Sequence, residues 1–303
     1  MRIFVSGASG HIGSAVVPEL ISTGHHVVGL ARSDAAAEKI TAMGAKVRRG
    51  DLDETDDLRA AASAADGVIH LAFRHDLMQA GDRNGAASAD LGAINAFAKA
   101  LAGTGKPLVG TSGILLLAIA NPGQVGTEED VVHGGFRIDA ENLVIGMADR
   151  GVRSSVVRLP PTVHSVLDTT GYIPTLIGIA RDKGFAAYVG DGTNRWPAVH
   201  TLDAARLFRL ALENAVAGTR LHAVGDEGIP FTQIAGTIAG NLGVGVRSLE
   251  PGAADDYFGF LAPVVQLDSP ASSVRTQELL GWKPNHPGLI ADMNQGHYFR
   301  VRE

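Results

Sequence analysis

Short runs that are apolar at nearly every position alternate along this chain with longer stretches whose apolar residues recur every three or four positions. RIFVSG, HHVVGLA, AKVRRGD, GVIHLAF, PLVGTSG and RSSVVRL are runs of the first kind. Apolar side chains on both faces of a strand predict burial on both faces, as in a parallel sheet covered by helices. SAVVPELISTG, DAAAEKITAMG and DDLRAAASAA are of the second kind, amphipathic helices long enough to cross between parallel strands. The alternation predicts an α/β fold built on a doubly wound parallel sheet. After about Pro160 the rhythm breaks: Gly and Pro are frequent and elements shorten, as in a smaller lobe built from insertions. LHAVG supplies one more strand there and FTQIAGTIAGNLG one more helix.

Composition narrows the chemistry. The 303 residues are 45% hydrophobic and 19% charged, with net charge -6 and pI near 6.0. That balance offers no basic surface for nucleic acid or an anionic membrane. Without cysteine there is no disulfide, thiolate nucleophile or Cys-based metal site. The histidines lack metal-ligand spacing such as HExxH, so no metal is expected. The first strand begins at Arg2, leaving no room for a signal peptide, and the longest apolar run, ILLLAIA, falls far short of the roughly 20 residues of a membrane span. A cytoplasmic protein is the expectation.

RIFVSGASGHIGSAVVPEL reads as strand, glycine turn, helix. Gly7, Gly10 and Gly13 permit a tight turn and close backbone approach, and the helix N-terminus behind them attracts an anion. Ser9, His11 and Ile12 complete the loop that would hold a pyrophosphate. The sheet is therefore expected to be Rossmann-like, with a dinucleotide-binding unit at 1–164 plus about 196–225. The substrate-binding lobe is then about 165–195 and 226–303.

The GASGHIG spacing resembles the extended or atypical branch of the short-chain dehydrogenase/reductase superfamily, which includes nucleotide-sugar epimerases and dehydratases. GDLDE at 50–54 is similar to its adenine-contacting segment, with Asp51 and Leu52 in the contacting positions. HLAF at 70–73 resembles its fourth strand, whose end, here Leu71, Ala72 and Phe73, passes under the cofactor. WPAVHTLDAARL at 196–207 and LLGWKP at 279–284 resemble later segments of the same family. Where its NAD enzymes carry an aspartate after the second strand, this chain has Ala31, then Arg32 and Ser33. A guanidinium there can bind a 2′-phosphate bidentately, so NADP(H) is expected over NAD(H).

The resemblance also implies a Ser after the fifth strand and a Tyr-x-x-x-Lys on the next helix. HGGFRIDAENL, residues 133–143, reads as the opening of that helix, with His133, Arg137 and Glu141 stacked on one face. Anchored on Glu141, Arg137 takes the Lys position and His133 the Tyr position. Gly113 stands at the Ser position, with Ser112 just before it. On this register Arg137 holds the nicotinamide ribose and His133 delivers the proton, for which a pKa of about 6.5 is suited. His75 follows the fourth strand at the ligand-binding edge. His164 follows the sixth, near Pro160, which the resemblance places beside the nicotinamide carboxamide. Both are further candidates for catalysis and substrate contact. Tyr172, Arg195 and Trp196 are expected to touch substrate, and His200 to pack beneath the cleft. The leading expectation is an NADP(H)-dependent oxidoreductase of a small carbonyl or alcohol. The alternatives are a silent redox sensor, or an epimerase or dehydratase with bound NAD(P). The apolar stripe of DLGAINAFAKALAG would serve a homodimer or the core.

Overall fold

The computed structural model describes residues 1–300. The strands are β1 (Arg2–Ser6), β2 (His26–Ala31), β3 (Lys46–Arg49), β4 (Gly67–His70), β5 (Pro107–Gly113), β6 (Arg153–Leu159), β7 (Thr162–His164), β8 (Phe185–Val189), β9 (Arg195–His200), β10 (Thr219–His222), β11 (Asp226–Pro230) and β12 (Gly245–Leu249). Seven form one parallel sheet in the order β10-β6-β5-β4-β1-β2-β3. The order reverses between β1 and β4, which opens a crevice at their carboxyl ends, where such sheets take ligands.

Helices α1 (Gly13–Ser22), α2 (Asp34–Ala42), α3 (Thr55–Ser63), α4 (His75–Gln79), α5 (Arg83–Leu101), α6 (Leu115–Ala120), α7 (Ile138–Gly146), α8 (Tyr172–Lys183), α9 (Thr201–Asn214) and α10 (Phe231–Leu242) connect and flank the strands. β1 shows why the sheet lies between two layers. Its Ile3 and Val5 join a core with Val16, Val17 and Leu20 of α1 and Leu207, Phe208 and Leu212 of α9. Phe4 points the other way, into a core with Leu58 of α3, Phe97 of α5 and Val144 of α7. The apolar stripe of α5 is spent there: Ala93, Ile94 and Phe97 are buried inside the chain's own core. No helix among the described residues is long and apolar enough to cross a membrane.

A third core, with Ile173, Leu176, Trp196, Phe231, Ile234, Phe258 and Met293, organises the lobe. Here the division expected from sequence needs correction. Residues 196–200 leave the large sheet, and β9 joins β7 and β11 in a separate three-stranded sheet. Its side chains alternate: Trp196 and Ala198 enter the lobe's core, whereas Val199 enters the sheet's core, so one strand seals both bodies. Only α9 and β10 return to the large sheet.

The opening of α7 also differs from expectation. The helix starts at Ile138, and His133 through Arg137 are not helical. Gly134 and Gly135 lie at φ 76 and 121, where right-handed helix cannot form, and Arg137 itself adopts φ 61. His133, Arg137 and Glu141 therefore do not share a helix face.

Candidate cofactor cleft and active site

The glycine loop can be tested residue by residue. A Cβ on Gly7, at φ 71, would come within 2.7 Å of the Ala72 amide nitrogen, and one on Gly13 within 2.2 Å of the Gly7 carbonyl oxygen. Packing inside the protein explains both. Gly10 is different: it is exposed, and a Cβ there would meet just the Gly7 oxygen, at 3.3 Å. The space over Gly10 is otherwise open, so packing inside the protein does not account for this glycine as it does for the other two. Behind it, α1 has no side-chain cap, but the Ser14 amide donates to the Gly10 carbonyl at 2.8 Å and the Ala15 amide to the Ile12 carbonyl at 3.0 Å, so these first-turn N–H groups are already paired. Ser9 and Ile12 are half-buried beside this loop. His11 turns the other way, toward the lobe. Its Nε2 meets Thr201 Oγ1 at 2.9 Å and its Nδ1 lies 4.0 Å from Asp168, while burial lowers its pKa to about 4.

The far end of the crevice lies over β2, β3 and β4. β2 ends at Ala31, and Arg32 follows with its Nη1 donating to Asp76 Oδ2 at 3.2 Å. Ser33 caps α2, accepting from the Ala36 amide at 3.2 Å. Asp51 accepts from the Leu52 amide at 2.6 Å, which fixes the loop after β3, and Leu52 is buried. Arg74 crosses above, donating to Asp53 at 2.7 Å and to Asp76 at 3.0 Å. The Asp76 carboxyl is held well below the usual range by Arg74 and then Arg32.

At the carboxyl ends of β4 and β5 a second cluster forms around Arg137. Its guanidinium lies 4.0 Å from the centre of the Phe73 ring and its Nη2 donates to the Thr111 carbonyl at 3.3 Å. Phe73 also meets the His75 ring edge-on at 5.2 Å and Phe136 at 6.2 Å. Burial lowers the Arg137 pKa, and burial together with Arg137 lowers that of His75. Beneath lies a sealed polar chain: Thr111 Oγ1 donates to the His70 carbonyl at 2.8 Å, and the His70 ring bridges Ser6 Oγ at 2.6 Å and Asp90 at 2.9 Å. Among the described residues Arg137 is the one non-glycine at positive φ. Backbone strain of that kind concentrates at functional sites.

Comparison with known proteins places these features in a family. A family model described as NAD(P)H-binding matches residues 7–157. An uncharacterised protein of Schizosaccharomyces pombe is 44% identical over 301 residues, 99% of this chain and 100% of its own. A 4-hydroxy-2-methyl-3-oxo-4-farnesyl-3,4-dihydroquinoline-1-oxide ketoreductase of Stigmatella aurantiaca is 28% identical over 225 residues, 72% of this chain and 66% of that one. A dTDP-glucose 4,6-dehydratase from Streptomyces venezuelae, solved with NAD bound, has the same fold, with TM-score 0.76 at 18% identity over 99% of this chain and 97% of that one. The chain belongs to one family with the Schizosaccharomyces pombe protein, and its residues 7–157 match the NAD(P)H-binding family model.

Within that fold, the residues singled out from sequence fall into two groups. Gly7, Gly10, Gly13, Arg32, Asp51, Phe73, His75 and Arg137 line the carboxyl edge of the sheet, with Leu71 and Ala72 half-buried after β4 and Pro160 buried after β6. The others are elsewhere. His133 is exposed in the loop before α7, four residues ahead of Arg137 but on no common face with it. Glu141 is buried: it accepts from Arg158 at 2.6 and 3.0 Å and from Arg220 at 2.8 Å. Burial alone would raise its carboxyl pKa, and paired Arg158 brings it below the usual value. Ser112 is 4% exposed and faces Glu141 without completing a hydrogen bond, so it is not open to the cleft.

His164 must be withdrawn from both catalysis and substrate contact. Its ring is fully buried, with Nδ1 2.9 Å from Asp292, because β7 turns it into the lobe interface. Trp196 is withdrawn too: it is 0% exposed and packs against Phe231 and Tyr172 at 5.0 and 5.6 Å. Tyr172 is half-buried, and that burial raises its pKa. Arg195 forms a bidentate pair with Asp268 at 2.8 and 3.1 Å. It stands six residues before Thr201, so strand rise alone separates it from the glycine-loop contact by about 20 Å. His200 stacks on His286 at 4.6 Å, and burial lowers its pKa to about 4. Sequence reasoning missed Arg74, whose partners come from distant loops. It also missed Asp168, which burial raises to about 6 and whose Oδ2 accepts from Tyr298 at 3.1 Å. Nothing in the local sequence marks either residue.

Proposed function

We propose that the chain is an NADP(H)-dependent oxidoreductase moving a hydride between nicotinamide and a small carbonyl or alcohol, with replacements at the usual catalytic positions. The observation that carries this reading is the Arg137 cluster, a partly desolvated cation on Phe73 with His75 alongside, at the carboxyl edge of β4 and β5. None of the four tyrosines has a lysine four residues on, which supports a departure from the family's usual pair. When bound, the nicotinamide supplies or accepts the hydride.

The chain's own residues do the rest. Gly10 and the loop ahead of α1 receive the pyrophosphate. Arg137, which cannot release its proton at any working pH, holds ribose hydroxyls and polarises the substrate oxygen. His75 moves the proton. Its lowered pKa keeps the imidazole neutral near pH 7, ready to accept a proton from an alcohol, so reduction gains as pH falls. Exposed His133 is the competing donor. A small substrate is favoured because both tryptophans, Trp196 and Trp282, are fully buried and offer a nucleobase no stacking face. The ketoreductase named among the relatives supports a ketone.

The test is direct. Purified protein is incubated with NADPH and a panel of aldehydes, ketones and diketones while absorbance near 340 nm is followed. Turnover supports the reading. Tight NADPH binding without turnover on any member of the panel overturns it in favour of a redox sensor.

A further inference from the structure

Arg137 brings a positive charge into the crevice with no negative charge to answer it. Its guanidinium makes one hydrogen bond, from Nη2 to the Thr111 carbonyl at 3.3 Å, and lies on the Phe73 ring at 4.0 Å. Among the described residues it forms no ion pair, because the acids around it are engaged elsewhere. Asp90 pairs with His70 at 2.9 Å, Asp76 with Arg74 at 3.0 Å, and Asp139 receives the Gly135 amide at 3.3 Å. Other desolvated arginines are answered. Arg158 has the Glu141 carboxylate at 2.6 Å, and Arg153 has the Leu212 and Ala215 carbonyls, at 2.7 and 3.2 Å, at the negative end of α9. Nε and Nη1 of Arg137 have no partner among the described residues and are not sealed from solvent. Burial lowers the pKa of this group, as it does for a cation left without a counter-charge.

We propose that Arg137 is a carboxylate receptor, and that the carbonyl compound reduced here is a 2-oxo acid with an aromatic or branched apolar body. The inference rests on the oxidoreductase reading above and names the substrate class of that site. Ribose hydroxyls can occupy a guanidinium's N–H groups, but they are neutral and leave its charge unanswered. A carboxylate answers both, because its two oxygens match the planar fork of an arginine. The walls suit a flat apolar group. Phe136, 37% exposed, meets Phe73 edge-on at 6.2 Å, and the His75 ring meets Phe73 at 5.2 Å. Arg83 stands at the mouth, 5.9 Å from the Phe136 ring, exposed and without an ion pair among the described residues, so the approach to the site is also cationic. With the carboxylate held, the adjacent carbonyl lies beside His75. The carbonyl carbon gains a hydride from the reduced nicotinamide, its π pair moves onto the oxygen, and that oxygen takes a proton from protonated His75. The products are the 2-hydroxy acid and the oxidised cofactor.

Benzoylformate and its methyl ester, which differ in the charge and share the reacting carbonyl, test this with NADPH and absorbance near 340 nm. Wild type should favour the acid by about 100-fold in kcat/KM, although the ester is the more electrophilic ketone. Arg137→Met should bring that ratio to about one, and Arg137→Lys, which keeps the charge and loses the fork, should leave roughly a tenth of it. Calorimetric titration of benzoylformate into the cofactor-free protein should show binding that weakens with salt and is lost in Arg137→Met, with urea midpoints confirming that the variant is folded. Equal use of acid and ester by wild type overturns the proposal without any variant. Proportional losses on both compounds in Arg137→Met, or benzoylformate binding that survives this substitution, overturn it too. Turnover of the ester or of neutral carbonyls with the acid inert removes the carboxylate site and leaves the oxidoreductase reading standing. No turnover of any carbonyl overturns both.

Discussion

Arg137→Gly and Arg137→Ala, made side by side, separate what this residue does for function from what its backbone costs the fold. Arg137 holds φ 61, where a Cβ crowds the following carbonyl at a cost of roughly 1–2 kcal/mol. Both variants lose the stacking on Phe73 at 4.0 Å and the hydrogen bond to the Thr111 carbonyl. Alanine keeps the strained Cβ, whereas glycine removes it and pays a chain-entropy cost of roughly 0.5–1 kcal/mol. The difference leaves glycine more stable than alanine by about 0.5–1 kcal/mol, measured as the shift in urea midpoint at constant m-value. Calorimetric titration with NADPH should show both variants binding more weakly, by a similar factor, and neither should turn over as wild type does. An alanine variant as stable as the glycine one would refute the strain argument. Wild-type turnover in either variant would remove Arg137 from the site.

The remaining predictions address other parts of the cleft. Gly10→Val should abolish NADPH binding in a folded protein, because the space over Gly10 is open and the new side chain would fill it; retained affinity in a titration would sink the phosphate-loop assignment. His75→Phe should lower kcat by a factor on the order of 10² to 10⁴ with NADPH affinity little changed, while His133→Phe stays near wild type; steady-state kinetics showing the reverse would make His133 the donor. Asp168 has its folded pKa raised from 3.8 to about 6 by burial, so the native state holds the proton more tightly than the unfolded chain. The stabilising share of this group is therefore present at low pH and lost as pH rises between about 4 and 6. Relative to Asp168→Asn, wild type should lose up to about 3 kcal/mol of stability across that window, read from urea midpoints at each pH. A flat difference would show that the carboxyl titrates normally.

The sequence by itself determined the parts that depend on local pattern. Continuous apolar runs fix strands buried on both faces, and the glycines after β1 mark a tight turn, although what crowds Gly7 is the Ala72 backbone after β4. The grouping at the carboxyl edge was legible for a related reason: in a parallel sheet, residues just after each strand must gather at one end, so Arg32, Asp51, Phe73 and His75 share an edge. Which side chain faces the cleft was not legible. His164 and Trp196 sit on short strands where a period of two leaves the inward face undecided until β7, β9 and β11 pair, and that pairing buries both. The face ladder of His133, Arg137 and Glu141 failed because two glycines stop the helix, and because Glu141 was needed by Arg158 and Arg220 from neighbouring strands. Arg74 and Asp76 are two positions apart in sequence, but their ion pair becomes a cluster because Arg32, more than forty residues away, lands on the same carboxylate. Tertiary structure decided these matters because burial and charge pairing are properties of the assembled neighbourhood, and a residue's own segment carries no record of its neighbours.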